Sequence, residues 1–351
     1  MRIIDVEVTC RNILLERPFK TALRTATEID SIEVTIHLEN GIVGMGSAAP
    51  TWVITGDSTE SIQAALSGPI KKVLLNQHMD NFQSLLIAIQ TSCVGNTSAK
   101  AAADIAMYDA YSKLLGIPLY RYLGNHKQLK TCMTIGVDTP EIMSKDAMNN
   151  VHSGFKSLKV KVGSTPELDM ARVSAIRAVI PPDVTLRLDA NQGWTPKQAV
   201  QLINQMEREN LNIEFIEQPV AAHDVEGLKF VTDHVNIPIM ADESLFSPHD
   251  ALKLVSGKYI DLLNIKLMKC GGISNAWKIA SIAESANVHC MIGSMMESDQ
   301  SVAAAAHFAV AHPNVRYFDL DAPLWLKEKP EFMKYVGEDI TLSTQPGISK
   351  V

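Results

Sequence analysis

Four short apolar runs decide the fold: TLRLD at 185–189, IEFIE at 213–217, IMAD at 239–242 and LLNIK at 262–266. Each run ends in a charged residue, and these residues are separated by 28, 25 and 24 positions along the chain. A near-constant period, with helix-like sequence between strand-like runs, is typical of consecutive βα units in a barrel. The four charged residues therefore stand where a barrel carries its catalytic groups.

The whole-chain composition agrees with a globular enzyme. The 351 residues have room for a barrel of about 200 to 250 residues and one smaller domain. A net charge of -7 without a basic stripe argues against a nucleic-acid partner. No apolar run is long enough to cross a membrane, and five scattered cysteines without a CxxC pair are typical of reduced thiols. We expect a cytoplasmic protein with no membrane partner, and self-association into a homo-oligomer stays open.

The first third of the chain has a different pattern. Apolar and polar residues alternate at 32–38, which predicts a strand with one buried face. The clearest helix is predicted to begin with Ser98 as its N-cap and to end before Gly116. We interpret residues 1–125 as a separate α+β domain.

From about residue 130 the chain alternates between strand-like and helix-like segments. Four of the helix-like segments begin with a hydroxyl residue followed by proline, a favoured combination for the N-cap and the first helical position. These pairs are Thr139-Pro140, Thr165-Pro166, Thr195-Pro196 and Ser247-Pro248. Eight strands are predicted, at 132–136, 157–161, 185–189, 213–217, 239–242, 262–266, 289–293 and 315–319.

The eighth predicted strand is followed by Pro323, Pro330 and an irregular tail. We therefore expect the last barrel helix to be shortened or absent. The predicted fold class is α/β, a modified (β/α)7β TIM-type barrel with an N-terminal α+β capping domain. The barrel spans residues 126–322, and residues 323–351 form a tail that packs back on the first domain.

Three carboxylates are predicted to meet at the mouth of this barrel. Asp189, Glu217 and Asp242 would repel one another there unless a hard divalent cation lay between them, and ligation by oxygen alone suits Mg²⁺. Alternation within the second strand places Lys159 and Lys161 on the same inward face. Buried lysines need anionic partners, so this mouth is predicted to be a reaction site rather than a core.

Two lysines compete for the position at the end of the sixth strand. Lys266 closes the run LLNIK, whereas Lys269 lies beyond the strand beside Gly271-Gly272. We expect Lys266 to enter the site and Lys269 to be a loop charge.

The motifs of the barrel resemble those of the muconate-lactonizing subgroup of the enolase superfamily, and the resemblance covers essentially the whole chain. The residues that carry it are 159–161, 189–194, 217–219, 242–244 and 264–266. Three further segments resemble the dipeptide epimerases of that subgroup. They are 20–25, 54–57 and 319–324, of which the Asp319-x-Asp321 pair is the sharpest marker.

The resemblance implies a 1,1-proton transfer at the α-carbon of a dipeptide's C-terminal residue. One Mg²⁺ per active site would be held by Asp189, Glu217 and Asp242, as in other enolase-superfamily sites. Lys161 and Lys266 would be the two catalytic residues, one removing the proton and the other returning it. A lysine base that works near neutral pH needs a lowered pKa, which we expect from burial and neighbouring positive charge.

The resemblance also implies a set of substrate-binding residues. Asp319 and Asp321 would bind the α-ammonium group of the dipeptide, and Arg24 would bind a side-chain carboxylate. Lys159 would stabilise the enolate oxygen. The remaining pocket residues implied are Thr134, Ser294 and Met296. The expected reaction is the interconversion of L-Ala-L-Glu and L-Ala-D-Glu.

Other readings of the same residues stay open from the sequence. Another enolase-superfamily reaction is one alternative: N-acylamino acid racemisation, o-succinylbenzoate synthesis or muconate cycloisomerisation. Those substrates lack a free ammonium group, so Asp319 and Asp321 argue against them. A non-catalytic barrel that binds a carboxylate is disfavoured by the lysine pair. Asp319 and Asp321 as structural caps, and Arg24 as an interdomain salt-bridge residue, are the plainer alternatives.

Overall fold

The computed structural model describes residues 1–21, 24–124 and 127–351. The chain begins with an antiparallel sheet in the order β1-β2-β3. Its strands are β1 (Ile3–Lys20), β2 (Thr25–Leu38) and β3 (Val43–Ala48). In β2 the apolar residues from Ile32 to Leu38 are buried and alternate with partly exposed polar ones, so the predicted one-faced strand is confirmed.

Helices complete the N-terminal domain. They are α1 (Thr59–Ala65), a π-helical turn (Leu66–Ile70), α2 (Lys71–Leu74), a 3-10 turn (Met79–Asn81), α3 (Phe82–Thr91), α4 (Thr97–Leu114) and α5 (Leu119–Leu123). The predicted cap of α4 is wrong, because the helix begins at Thr97 and its N-cap is Asn96, two residues before Ser98 and in the left-handed conformation. Ser98 lies inside the first turn, and its backbone N–H donates to Asp57 Oδ2 at 3.0 Å. The carboxylate of Asp57, from another segment, thus accepts a hydrogen bond at the start of α4, which was the role predicted for the Ser98 hydroxyl.

The second part of the chain forms an eight-stranded parallel sheet that curls into a barrel. Its strands are β5 (Met133–Ile135), β6 (Ser157–Lys161), β7 (Thr185–Asp189), β8 (Ile213–Glu217), β9 (Ile239–Ala241), β10 (Leu262–Lys266), β11 (His289–Gly293) and β12 (Val315–Phe318). They lie in sequential order. The N–H of Cys132 donates to the carbonyl of Phe318 at 3.3 Å, which joins the last strand to the first.

Helices connect consecutive barrel strands. They are α6 (Pro140–His152), α7 (Pro166–Val179), α8 (Pro196–Arg208), α9 (Val225–His234), α10 (Pro248–Ser256), α11 (Leu267–Cys270), α12 (Ile273–Ser285) and α13 (Asp299–Ala311). All four predicted hydroxyl-proline starts are confirmed, since each hydroxyl accepts a hydrogen bond from a backbone N–H in the first turn. Among the helices of the described residues, none combines the length and apolar character that crossing a bilayer requires.

Within the described residues, no α-helix follows the last barrel strand β12, as predicted. A 3-10 turn (Ala322–Trp325) follows instead, and β13 (Met333–Val336) and β14 (Asp339–Leu342) then form a small sheet with β4 (Leu129–Lys130). Lys327 N donates to the carbonyl of Leu14 in β1 at 3.0 Å. Near the C-terminus, the N–H of Ile348 donates to the buried Asp109 of α4 at 2.7 Å.

The N-terminal domain also contacts the barrel near its catalytic strands. Asp104, buried in α4, accepts hydrogen bonds from the backbone N–H and the hydroxyl of Ser274 at the start of α12. Gln90 in α3 donates to the carbonyl of Gly271 at 2.6 Å. These contacts hold the segment that follows β10 against the N-terminal domain.

Candidate active site

Three carboxylates converge where neighbouring barrel strands end. Asp189 ends β7, Glu217 ends β8, and Asp242 comes directly after β9. All three side chains are fully buried, and one oxygen of each lies within 4.8 Å of the others. The structure therefore brings together the three acids that the period of the sequence indicated.

The backbone beside these acids is held in an unusual conformation. Asn191, Gln192 and Gln218 have positive φ values of 42°, 69° and 37°, which non-glycine residues seldom adopt. The side-chain carbonyl of Gln218 accepts hydrogen bonds from the N–H groups of Asp242 at 2.9 Å and Ser244 at 3.1 Å. These bonds tie β8 to the turn after β9 and fix the direction in which Asp242 points.

Lys161 and Lys266 approach the acidic cluster from different sides. Lys161 Nζ lies 2.6 Å from Asp189 Oδ2, and Lys266 Nζ lies 2.6 Å from Asp242 Oδ2. They stand on β6 and β10, four strands apart in an eight-stranded barrel. The two ammonium groups therefore face each other across the barrel mouth.

Lys159 occupies the centre of the cluster. Its Nζ lies 2.7 Å from Asp319 Oδ2, 2.8 Å from Glu217 Oε2 and 3.1 Å from Asp189 Oδ2. Burial opposes its charge, yet the surrounding carboxylates, Asp319 first among them, hold its pKa well above the usual value. Lys159 is therefore a fixed cation.

The expectation that Lys269 is a loop charge is wrong. Its side chain is fully buried, and its ammonium group donates to the backbone carbonyl of Asp242, to Asp242 Oδ1 at 2.5 Å and to the carbonyl of Asn264 at 3.2 Å. The one-turn helix α11 ends at Gly271 with a φ of 84°, and this turn directs Lys269 back beneath β9. Lys269 holds Asp242 without lining the cavity, whereas Lys266 lines it.

Burial and neighbouring charges shift the pKa values of the cluster in different directions. Burial and then the neighbouring Asp189 raise the pKa of Glu217 to about 8. Burial also opposes ionisation of Asp242, but Lys266 and Lys269 hold the pKa of Asp242 below its usual range. Burial lowers the pKa of Lys266, but the surrounding carboxylates, Asp242 first among them, together raise that pKa, contrary to the lowered value expected for a base. Three crowded carboxylates with hard oxygen donors suit a divalent cation such as Mg²⁺.

A cavity opens at this cluster. Both candidate catalytic lysines line it, together with every residue that the sequence suggested for substrate binding: Arg24, Thr134, Lys159, Ser294, Met296, Asp319 and Asp321. The structure therefore collects residues from both ends of the chain around one space.

Several residues of this cavity were missed by the sequence reasoning. Phe19 and Met295 line it, and no local pattern marked them because each belongs to an ordinary apolar segment. Val53 and Ile54 also line it, on the segment between β3 and α1. Ile54 and Ala322 fall in the segments 54–57 and 319–324, whose resemblance to the dipeptide epimerases was their signal.

Asp319 and Asp321 have different surroundings although they are two residues apart. Asp319 accepts from Lys159 at 2.7 Å and from Cys132 Sγ at 3.3 Å. Burial opposes its ionisation, but the neighbouring lysines, Lys159 first among them, together lower its pKa. Asp321 accepts from the N–H of Thr134 at 2.7 Å instead. Burial, followed by the nearby Asp319, raises the pKa of Asp321 to about 6. Asp321 is thus the less compensated carboxylate of the cavity wall.

Arg24 lies on the short connection between β1 and β2. Its N–H donates to Thr21 Oγ1 at 3.2 Å, and burial lowers the pKa of its guanidinium group. Within the described residues, no carboxylate lies at ion-pair distance from this guanidinium, so an interdomain salt bridge is not formed there. Ala22 and Leu23, which belong to the same predicted motif, lie outside the described residues.

Comparison with known proteins agrees with this geometry. Residues 3–124 match the mandelate racemase / muconate lactonizing enzyme N-terminal domain, and residues 143–350 match the enolase C-terminal domain-like family. An L-Ala-D/L-Glu epimerase of Clostridium acetobutylicum is 46% identical over 99% of this chain and 98% of the relative.

Solved structures are similar over the same length. The substrate-liganded complex of the L-Ala-D/L-Glu epimerase from Bacillus subtilis has a TM-score of 0.98 and 45% identity, covering 100% of this chain and 99% of that one. The dipeptide epimerase of Enterococcus faecalis V583, complexed with Mg and L-Leu-L-Tyr, has a TM-score of 0.95 and 40% identity over 99% of each chain. The chain therefore belongs to the mandelate racemase/muconate lactonizing enzyme family of the enolase superfamily.

Proposed function

We propose that this chain is an isomerase, a Mg²⁺-dependent dipeptide epimerase that interconverts L-Ala-L-Glu and L-Ala-D-Glu. The observation that carries the proposal is the placement of Lys161 and Lys266 on opposite sides of one cavity, above three buried carboxylates. The relatives from C. acetobutylicum and B. subtilis are L-Ala-D/L-Glu epimerases, which supports the same reaction here.

Asp189, Glu217 and Asp242 are the residues proposed to hold Mg²⁺. When bound, the cation supplies positive charge that neutralises the substrate carboxylate as the α-proton leaves. Relatives solved with Mg and a dipeptide support this assignment. The Asn264 amide donates to Glu217 Oε1 at 2.8 Å and keeps that carboxylate directed at the cluster.

Lys161 and Lys266 are proposed as the two catalytic residues. A planar α-carbon between them has one lysine on each face, so the neutral amine of one lysine removes the proton and the ammonium group of the other supplies a proton to the opposite face. Neutralisation of Asp242 would remove the largest interaction that raises the pKa of Lys266, while burial and the charge of Lys159 would continue to lower it. Lys159, held by three carboxylates, is proposed to stay protonated and stabilise the enolate oxygen.

The two ends of the dipeptide would be recognised by opposite charges. Asp319 and Asp321 lie on the cavity wall and are proposed to bind the α-ammonium group. Arg24 carries no carboxylate partner among the described residues and is proposed to bind the glutamate side chain. Thr134, Ser294 and Met296 would contact the rest of the substrate.

The proposed site residues imply different roles for three parts of the chain. We propose that residues 1–125 act as a capping domain that supplies Arg24, that residues 126–322 carry the metal and the lysines, and that residues 323–351 tie the two together. The boundary between the first two parts falls at Asn125 and His126, which lie outside the described residues. A cytoplasmic location is proposed because all five cysteines are free thiols in the structure.

A dipeptide library incubated with the enzyme and Mg²⁺ in D₂O tests the function. Mass spectrometry would read incorporation of α-deuterium, and chiral chromatography would read inversion. We expect Ala-Glu to exchange and invert fastest. A preference for an N-acylated amino acid over free dipeptides would contradict the proposal and favour the N-acylamino acid racemase alternative.

A further inference from the structure

We propose that Trp325 is a positioning residue that sets Asp321 for the substrate's ammonium group and couples this carboxylate to the capping strand that leads to Arg24. The inference rests on the proposed function, because it takes Asp321 as a residue that binds the substrate's ammonium group. Trp325 itself does not line the cavity. The proposal starts from a hydrogen bond between Trp325, the last residue of the 3-10 turn, and Asp321, the residue that precedes this turn.

The indole N–H of Trp325 donates to Asp321 Oδ2 at 3.2 Å. The same oxygen accepts from the backbone N–H of Thr134 at 2.7 Å. Both donors therefore act on one oxygen, which fixes the rotation of the carboxylate while the residue remains on the cavity wall. A neutral donor keeps the full negative charge of Asp321 available to a ligand, in contrast to Asp319, which is already paired with Lys159.

Trp325 is itself held in place by the capping domain. Its side chain is almost completely buried, so its N–H needs a partner inside the protein. Phe19 and the indole make a T-shaped contact at a centroid distance of 5.0 Å, and the guanidinium of Arg17 lies 4.5 Å from the ring centroid of Trp325. Arg17 is also bound to Asp146 of α6 at 2.9 Å. The indole is thus fixed by β1 and cannot turn without moving that strand.

The same stretch of β1 leads into the loop that carries Arg24. Phe19 lines the cavity, and Lys20, the last residue of β1, pairs with Asp138 at 2.6 Å. Arg24 follows four residues later. The packing of Trp325 against Phe19 therefore connects Asp321, proposed to bind the ammonium group of the dipeptide, to the end of β1. The connection that carries Arg24, proposed to bind the glutamate side chain, begins there.

The test is a Trp325→Phe variant, which removes the N–H and retains an aromatic ring between Phe19 and Arg17. Its matched control is Trp277→Phe, because Trp277 packs against Phe308 and His312 on the outer helices, away from the cavity. Two ligands are compared, L-Ala-L-Glu and N-propionyl-L-Glu, which has the same shape but lacks the ammonium group. The KM and kcat for Ala-Glu and the inhibition constant of N-propionyl-Glu are measured with Mg²⁺ bound.

We expect Trp325→Phe to raise KM for Ala-Glu about tenfold with little change in kcat, and to leave the inhibition constant of N-propionyl-Glu nearly unchanged. Trp277→Phe should change neither. In an Asp321→Asn background the effect of Trp325→Phe should disappear, because the two residues act through one carboxylate.

Equal weakening of both ligands, or additive effects of Trp325→Phe and Asp321→Asn, would overturn the positioning role. A different result would contradict the proposed function itself. If the unmodified enzyme binds N-propionyl-Glu as tightly as Ala-Glu, the ammonium group is not recognised, and the failure lies with Asp319 and Asp321 rather than with Trp325.

Discussion

Lys161 and Lys266 make the same contact from opposite sides of the barrel, each placing Nζ 2.6 Å from an aspartate Oδ2 of the acidic cluster. Because four strands separate β6 from β10, the two ammonium groups face each other across the cavity. This symmetry about the cluster is what a reaction that inverts a stereocentre needs: one group for each face of the α-carbon.

Replacement of either lysine should separate proton exchange from inversion. We expect Lys161→Met and Lys266→Met each to slow epimerisation about 10²- to 10⁴-fold while exchange of the α-proton persists from one stereoisomer only. The isomer that still exchanges should differ between the two variants. NMR in D₂O, starting from L-Ala-L-Glu and from L-Ala-D-Glu, measures both rates.

Lys269→Met is the control for this pair, because Lys269 binds Asp242 but does not line the cavity. It should slow exchange from both isomers alike. Retention of inversion in both single variants would rule out two bases on opposite faces.

Removal of a carboxylate from the cluster should abolish the response to metal. Saturating Mg²⁺, at about 100 times its dissociation constant, is expected to stabilise the unmodified protein by about 2.7 kcal/mol and to do nothing for Glu217→Gln. Thermal unfolding with Mg²⁺ or with chelator measures this. Glu214→Gln is the matched control, since Glu214 lies on the same strand but pairs with Arg187 outside the cluster. Full epimerase activity in excess chelator would contradict the assignment.

Arg24→Met should change substrate preference rather than activity in general. Loss of a charged partner is worth about 1.5 to 3 kcal/mol, so kcat/KM for Ala-Glu is expected to fall by about one to two decades. Ala-Leu, which has no side-chain carboxylate, should be spared. Lys20→Met is the control, because that nearby cation is paired with Asp138. If Ala-Glu and Ala-Leu weaken equally in Arg24→Met, the role of Arg24 in glutamate recognition is wrong.

The burial of Asp104 should make stability depend on pH. Burial raises the pKa of Asp104 to about 7 in the folded protein, against 3.8 for an unperturbed aspartate. The folded state therefore holds this proton more tightly than the unfolded state. The contribution of Asp104 is most favourable below about pH 4, falls as the pH rises to about 7, and is then constant at a cost of about 4 kcal/mol.

Asp104→Asn should remove this dependence, since an amide keeps an acceptor for the Ser274 N–H and never ionises. We expect the unfolding free energy of Asp104→Asn, relative to the unmodified protein, to be higher at pH 8 than at pH 5. Urea denaturation at the two pH values provides the measurement. Asp183→Asn, an exposed aspartate, should show no such difference. An identical pH profile for Asp104→Asn and the unmodified protein would show that Asp104 stays ionised throughout.

The repeat of the barrel and the position of most candidate site residues were predictable from local sequence. The spacing of Asp189, Glu217 and Asp242 indicated βα units, and the strand ends of parallel units necessarily meet at one face. The hydroxyl-proline starts were also predictable, because an N-cap is satisfied within its own first turn. Lys161 and Lys266 followed from strand alternation and from the position at a strand end.

Other features depend on segments that are far apart in the chain. Asp57 takes the place of Ser98 at the start of α4 because the fold brings a better acceptor to that turn. Trp325 reaches Asp321 in a turn whose shape is stabilised by β1, more than 300 residues earlier. No spacing in the sequence encodes either contact.

The sequence by itself determined the βα period, the identity of the three acids and the faces of the strands, because each of these is set by residues within one element or by a regular repeat. Only the tertiary structure decided that Lys269 is a buried partner of Asp242 and that Lys159 is shared by Asp189, Glu217 and Asp319. Barrel closure sets the distance between side chains on different strands, and burial removes the water that would otherwise screen their charges.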